Sequence, residues 1–437
     1  MRTFCNLPEH SFVFLLIFSS LFFLNACSNS PKQSQKVYTV FVGAKLLDGK
    51  GGPSISDGVL LISEGRIEAV GSRSDVEIPE HAKVIDLSGK IVIPGLINSH
   101  AHVGYEGSMQ AKDYAEDNIV DQLKLYASYG ITTVISLGED HPAAVSLRDE
   151  VDTISSPGRA RLYIAGAVVT GDTPQEAIRM VDNNVKMGVD FIKIRVDDNL
   201  GSSKKMPEDV YQTVINRSHD YNLMLAAHMY YLEDAKSLVG AGADFLAHSV
   251  RDQEVDATLI NLLKAEEVCY CPTLTRDLST YVYEGVPAFF NDPFFLQSVD
   301  SLEIAALTAP ERQEQVRENP DNETYKEALQ MAKRNLKILS DSGVTIAMGT
   351  DSGVPTRFQG YFEHLEMNMM AEAGMQPMEI LLSATRNPAQ CLGLEDVGTL
   401  EPGHWADFVV LNQDPLEDIR HLRSIASVWI GGEEVER

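Results

Sequence analysis

Basic residues are scarce in this chain. Its 36 Lys and Arg stand against 63 Asp and Glu, a formal net charge of -27 at pH 7. Phosphate binding needs a basic face, so a nucleic-acid partner is excluded. The charge reads as a solvated acidic surface, one that anionic membranes repel unless something covalent holds the protein to them. No apolar run reaches the ~20 residues of a comfortable membrane span. Gly (31) and Pro (19) are not enriched in the 437 residues, and no internal repeat stands out. Neither a G-x-S-x-G elbow nor a P-loop is present, which removes the usual serine nucleophile and the usual phosphate cradle. Cysteine is also sparse, with five residues. What remains is a chain of 44% hydrophobic residues, long enough for one large domain and a smaller one, each with its own core.

The longest apolar run, Phe12 to Leu24 (FVFLLIFSSLFFL), has the length of a signal-peptide core and follows Arg2. It ends in Leu24-Asn25-Ala26-Cys27, which resembles the lipobox of bacterial lipoproteins. That resemblance implies a signal peptide over 1–26, an acylated Cys27, and a polar tether over 27–36 (SNSPKQSQK after the Cys). It places the protein in the cell envelope, lipid-anchored. Ser28 after the Cys resembles the outer-membrane sorting pattern, with the chain facing the periplasm. The alternative is an uncleaved anchor. With Cys5 in the leader and Cys27 lipidated, Cys269, Cys271 and Cys391 remain, an odd number. No disulfide framework is expected. Cys269 and Cys271 sit two apart in EVCYCPTL, share one strand face, and read as core.

Two stretches have the texture of short β runs broken by Gly, Asp and Ser. One runs over 37–90 and the other over 397–437, with Ala406–Leu411 and Ile425–Ile430 as its clearest strands. Together they predict a small β-sandwich built from both chain ends. Between them, over 91–396, short apolar strands alternate with helical stretches such as Pro174–Met187 and Pro207–Tyr221. Eight strands are expected: Gly95–Val103, Thr132–Leu137, Arg161–Ala165, Asp190–Val196, Met224–Met229, Asp244–Ser249, Glu267–Pro272 and Val344–Met348. The predicted class is α/β, with a (β/α)₈ TIM-like barrel. One connection, Thr275 to Asn322, is unusually long and rich in Tyr and Phe. It is either a lid or an insertion packed onto the barrel by its aromatics.

His100-Ala101-His102 closes the first barrel strand, and residues two apart on a strand point the same way. His228 ends strand five, His248 ends strand six, and Asp351 follows strand eight. Each is a polar group at the C-terminal end of an apolar strand, where a barrel builds its active site. Imidazoles and a carboxylate gathered there suit zinc-like ions. Lys193 lies inside strand four. Burial would lower its pKa and leave a free amine able to take up CO₂ as a carbamate. An ordinary ion pair with Asp197, Asp198 or Asp351 is the alternative. His81, His141, His219, His364 and His404 fall outside these strand ends and are expected to be structural.

Ile93-Pro94-Gly95-Leu96-Ile97-Asn98-Ser99-His100-Ala101-His102 resembles the opening signature of the amidohydrolase superfamily. Asn387-Pro388-Ala389, Gly398-Thr399-Leu400-Glu401-Pro402-Gly403 and Ala406-Asp407-Phe408-Val409-Val410-Leu411 are similar to its closing signature. Within the superfamily the chain resembles the imidazolonepropionase-related group, with its prolidase-like and ochratoxinase-like enzymes. The resemblance implies two divalent ions, zinc being the expected one. His100, His102 and Asp351 would hold one, and His228 and His248 the other, with Lys193 bridging as its carbamate. It also implies hydrolysis of an amide C–N bond by a metal-activated hydroxide, with Asp351 moving the proton.

Arg195 faces the same way as Lys193 but nearer the mouth. It suits a substrate carboxylate, or else pairs with Asp197 or Asp198. Tyr230 stands in the same relation to His228, as an oxyanion donor or as wall. Arg251 and Asp252 are read as an ion pair with each other or with a neighbour. The expected substrate is a dipeptide or an N-acyl amino acid. Alternatives are a mononuclear cyclic amidohydrolase or deaminase, and a non-catalytic lipid-anchored binding protein. Self-association is left open.

Overall fold

In a computed structural model, residues 36–106, 109–151 and 158–437 are described. The apolar leader, Cys27 and most of the tether lie outside them. Five strands come first: β1 (Thr39–Leu46), β2 (Ile55–Ser63), β3 (Arg66–Ser72), β4 (Lys83–Asp86) and β5 (Ile91–Pro94). Seven follow as staves of a parallel barrel: β6 (Leu96–Ala101), β7 (Ile131–Ser136), β8 (Arg161–Ile164), β9 (Phe191–Arg195), β10 (Met224–His228), β11 (Phe245–Ala247) and β12 (Cys269–Cys271). The chain ends with β13 (Phe408–Leu411), β14 (Ile425–Ile430) and β15 (Glu433–Glu434).

The two ends meet in one eight-stranded sheet of order β15-β14-β13-β5-β1-β2-β3, with β4 beside β1. Strand β5 pairs antiparallel with β13 and parallel with β1, so the sheet extends past residue 90 to Pro94. Alternation along β1 explains its packing. Phe41 joins Leu60, Phe408 and Trp429 on one face, while Val40 joins Val59 and Leu61 on the other.

In the barrel, side chains such as Ile97, Phe191, Phe245, Cys269 and Cys271 fill the interior. The opposite faces pack under the helices. The Pro174–Met187 helix shows why its sequence winds there. Thr173 accepts a hydrogen bond from the Glu176 N–H, Pro174 opens the first turn, and Gly188 ends it at φ +87°.

The eighth stave departs from expectation. Val344–Met348 forms no regular strand; it closes the barrel through isolated parallel bridges, Tyr270 to Ile346 and Ala101 to Ser352. Gly349 sits in the tightest spot. A Cβ there would lie 2.6 Å from Cys271 Sγ and 2.9 Å from His100 Cβ, so only glycine lets this stave pass so close.

Two further expectations are corrected or refined. Cys269 is not a plain core thiol but forms a disulfide with Cys391, 122 residues away, while Cys271 is free and buried. Cys391 closes the short Arg386–Cys391 helix packed beneath the barrel, and this long-range neighbour has no local signature. The 275–322 connection is largely helical, over Leu274–Tyr281, Pro293–Leu296, Ser301–Thr308 and Pro310–Arg317. Its Phe295 packs on Phe358 (ring centroids 4.8 Å) and Tyr361 (5.1 Å). The aromatics bind the insertion to the barrel.

Candidate metal centre

The strand ends converge as their sequence positions require. His100, His102, Lys193, His228, His248 and Asp351 all line one cavity of about 230 Å³. Ligand-capable atoms of His100, His248 and Asp351 lie within 4.8 Å of one another. The His228 and His248 ring centroids are 4.2 Å apart, and those of His100 and His248 4.6 Å. Two of these residues hold costly backbone conformations. His248 has φ +82° and Asp351 φ +59°, a left-handed geometry that non-glycine residues adopt at functional sites when their surroundings enforce it.

Three of the four imidazoles are fixed from outside the cavity, whereas His100 Nδ1 is buried without a hydrogen-bond partner among the described residues. His102 Nδ1 donates to the Gly138 carbonyl at 3.0 Å, His228 Nε2 donates to Asp197 at 2.7 Å, and His248 Nδ1 meets Thr273 Oγ1 at 2.7 Å. Such partners set the tautomer and aim the other nitrogen inward. His102 Nε2 then turns its lone pair towards Asp351 Oδ1 at 2.9 Å, and a cation satisfies both. Burial lowers the pKa of His100 and His248 well below the ordinary range and that of His228 to about 3. Neutral imidazoles are what a metal requires. On this test the donor set fits divalent ions.

Lys193 is buried, and burial pushes its pKa down to about 8. Its Nζ lies 3.3 Å from His100 Nε2. The carboxylates that might have paired with it are engaged elsewhere. Asp197 holds His228, Asp198 accepts the Tyr231 hydroxyl at 2.9 Å, and Asp351 is bonded by Arg357. Burial alone would raise the Asp351 pKa, but Arg357, followed by His100 and His102, holds it well below the usual carboxylate range.

Arg195 also lines the cavity, and among the described residues its exposed guanidinium has no carboxylate partner. Tyr230 is placed differently from expectation. It is absent from the cavity lining, and its ring lies against the Arg251 guanidinium at 4.7 Å. Arg251 in turn stands 3.3 Å from Asp277, while Asp252 accepts the Leu232 N–H. His364 is buried in the core and donates to the Tyr129 carbonyl; His219 pairs with Asp244.

Two charged cavity residues escaped the sequence reading. Arg357 lies in the loop after the eighth stave and Arg276 on the helix after β12. Neither sits at a strand end or in a periodic pattern. The only available signal was a basic residue in an otherwise acidic chain. A buried carboxylate, Glu366, accepts from the Leu274 and Thr275 N–H groups at 2.7 Å each and so anchors the helix that carries Arg276.

Comparison with known proteins gives the same architecture. The model of the amidohydrolase family matches residues 91–435. Guanine deaminase of Escherichia coli (strain K12) is 25% identical over 407 residues, covering 86% of this chain and 86% of that protein. Ochratoxinase of Aspergillus niger is 26% identical over 284 residues, covering 61% of this chain and 51% of ochratoxinase, about half its length. A solved Xaa-Pro dipeptidase with bound methionine in the active site superposes with a TM-score of 0.73, over 92% of this chain and 100% of that one, at 22% identity. That likeness is one of fold.

Proposed function

This chain belongs to the amidohydrolase family, a metal-dependent hydrolase acting on carbon–nitrogen bonds, and on that premise we propose that it cleaves the amide of a dipeptide or an N-acyl amino acid at a two-metal centre. His100, His102 and Asp351 would hold one ion, and His228 and His248 the other. Lys193, carboxylated by CO₂, would supply a further anionic ligand, and zinc is the expected ion. When bound, such ions lower the proton affinity of a water and polarise the scissile carbonyl.

The chain's own groups do the rest. Asp351 takes the proton of the attacking water on Oδ1 and returns it to the leaving nitrogen. Arg357 holds the other carboxylate oxygen, which keeps Asp351 ionised and aimed. Arg195 binds the substrate carboxylate at the mouth. The reading is carried above all by one observation: a buried lysine with no carboxylate in ion-pair contact among the described residues shares a single small cavity with four imidazoles and a carboxylate.

The test is to load the purified protein with zinc and bicarbonate, count metal per chain, and assay dipeptides and N-acyl amino acids. Two ions and turnover that collapses by orders of magnitude in Asp351→Asn are expected. Near-normal turnover in that variant overturns the proton role. A mononuclear deaminase is the second reading, favoured by the guanine deaminase relative. One ion per chain, with ammonia released from guanine and no peptide cleavage, would establish it instead. We further propose attachment to the cell envelope through a lipid on Cys27, which metabolic labelling with a fatty-acid analogue tests against Cys27→Ser.

A further inference from the structure

The chain is strongly acidic overall, yet its cavity is not. Three guanidiniums, those of Arg195, Arg276 and Arg357, line it beside Asp351 and Lys193, the latter an anion once carboxylated. The guanidiniums differ in how far they are neutralised. Arg357 is committed to Asp351. Arg276 donates to Asp277 Oδ1 at 2.7 Å, but the same oxygen lies 3.3 Å from Arg251 Nε. One buried carboxylate therefore serves two buried guanidiniums, and a positive charge is left over. Arg195 has no carboxylate partner among the described residues, because Asp197 is turned to His228 and Asp198 to Tyr231.

The under-neutralised charges come from different elements of the cavity wall. Arg195 ends β9, the fourth stave, whereas Arg276 follows β12, the seventh. In the sheet order β12-β11-β10-β9, the two staves leading to His228 and His248 lie between them. Arg195 also borders a second cavity of about 180 Å³. A free dipeptide offers one carboxylate and one ammonium. Its ammonium would meet a cationic wall, and like charges placed together inside a small cavity are strongly disfavoured.

We propose that the substrate is dianionic, with one acidic group on each side of the scissile amide: an N-(carboxyacyl) amino acid, one carboxylate read by Arg195 and the other by Arg276. The proposal rests on the amide-hydrolase reading above and narrows its substrate class. The reaction is ordinary hydrolysis. Water adds across the C–N bond, the acyl carbon leaves as a carboxylate, and the nitrogen leaves as the amine after taking a proton.

The test uses three substrates with the same amide and the same leucine: N-succinyl-, N-succinamoyl- and N-(4-aminobutyryl)-L-leucine. Their far ends are anionic, neutral and cationic. kcat/KM for the succinyl compound is expected to exceed that of the succinamoyl compound about tenfold and that of the aminobutyryl compound about a hundredfold. In Arg276→Gln the first ratio falls towards one, which a purely structural role for Arg276 would not produce. A binding arm reads charge without turnover. Pimelate, whose carboxylates have the same chain separation as those of succinyl-leucine, should bind more tightly than heptanoate, and Arg195→Gln or Arg276→Gln should erase the difference. Cleavage of all three substrates at similar rates overturns the dianion and leaves the amide reading intact. No cleavage, but an arginine-dependent pimelate preference, keeps the dianion and overturns the amide. Failure of both arms overturns both.

Discussion

Asp197 Oδ2 lies 2.7 Å from His228 Nε2, and this contact engages a carboxylate two residues beyond Arg195, the last residue of β9. Burial would raise the Asp197 pKa, but His228, the Asn199 N–H and Arg251 together outweigh it and hold the carboxyl low. The interaction thus aims an imidazole into the cavity. Asp197→Ala should weaken metal retention about 10- to 100-fold, the usual cost of losing such an outer partner. Competition with a chelating dye measures it, and unchanged affinity would mean that His228 needs no outside support.

Lys193→Ala should abolish turnover, because an anionic ligand of the ions is lost. Short-chain carboxylates such as acetate or propionate should restore part of it by standing in for the carbamate, while amines should not. Full activity without any additive would make Lys193 a bystander.

The Cys269–Cys391 disulfide closes a loop of 122 residues. Removing it with Cys391→Ser should cost about 2–5 kcal/mol of stability. The urea midpoint of the oxidised protein, compared with that of the variant and of the reduced parent, reads the effect. Coincident midpoints for all three would show that the link contributes nothing.

Acid sensitivity has one identifiable source in the core. His364 is buried, and burial lowers its pKa from 6.5 to about 3. Between those values only the unfolded chain takes up the proton. Its contribution to stability is complete above pH ~6.5 and falls by about 1.4 kcal/mol per pH unit as the pH drops towards ~3. His364→Gln, whose amide can still donate to the Tyr129 carbonyl, should lose less stability between about pH 7.5 and pH 5 than the parent. Equal losses in the two proteins would remove His364 as the cause.

The parts of the molecule legible in the sequence were those that obey a short-range rule. His100, His228 and His248 each follow an apolar strand, so their convergence could be read from strand ends alone, and the barrel and two-ended sheet from strand texture. Other features depend on neighbours remote in sequence. The eighth stave carries only isolated bridges, and its Gly349 passes within touching distance of Cys271 and His100. Cys391 shows nothing locally of its bond to Cys269. Tyr230 keeps strand-like spacing from His228, but the chain has left β10 by then, and its ring goes to Arg251 instead. Arg276 and Arg357 arrive on a helix and a loop whose paths periodicity does not encode.

The pairing of β5 with β13 has a consequence for how the polypeptide is made. The stretch leading into the barrel gains its second flanking ladder only from Phe408–Leu411, so a nascent chain cannot finish this sheet until those residues have left the ribosome. A premature stop before Phe408 would bare Ile91–Pro94 as a raw backbone edge, the kind that recruits a second molecule into aggregates. A single ladder therefore ties closure of this edge to the last tenth of the chain.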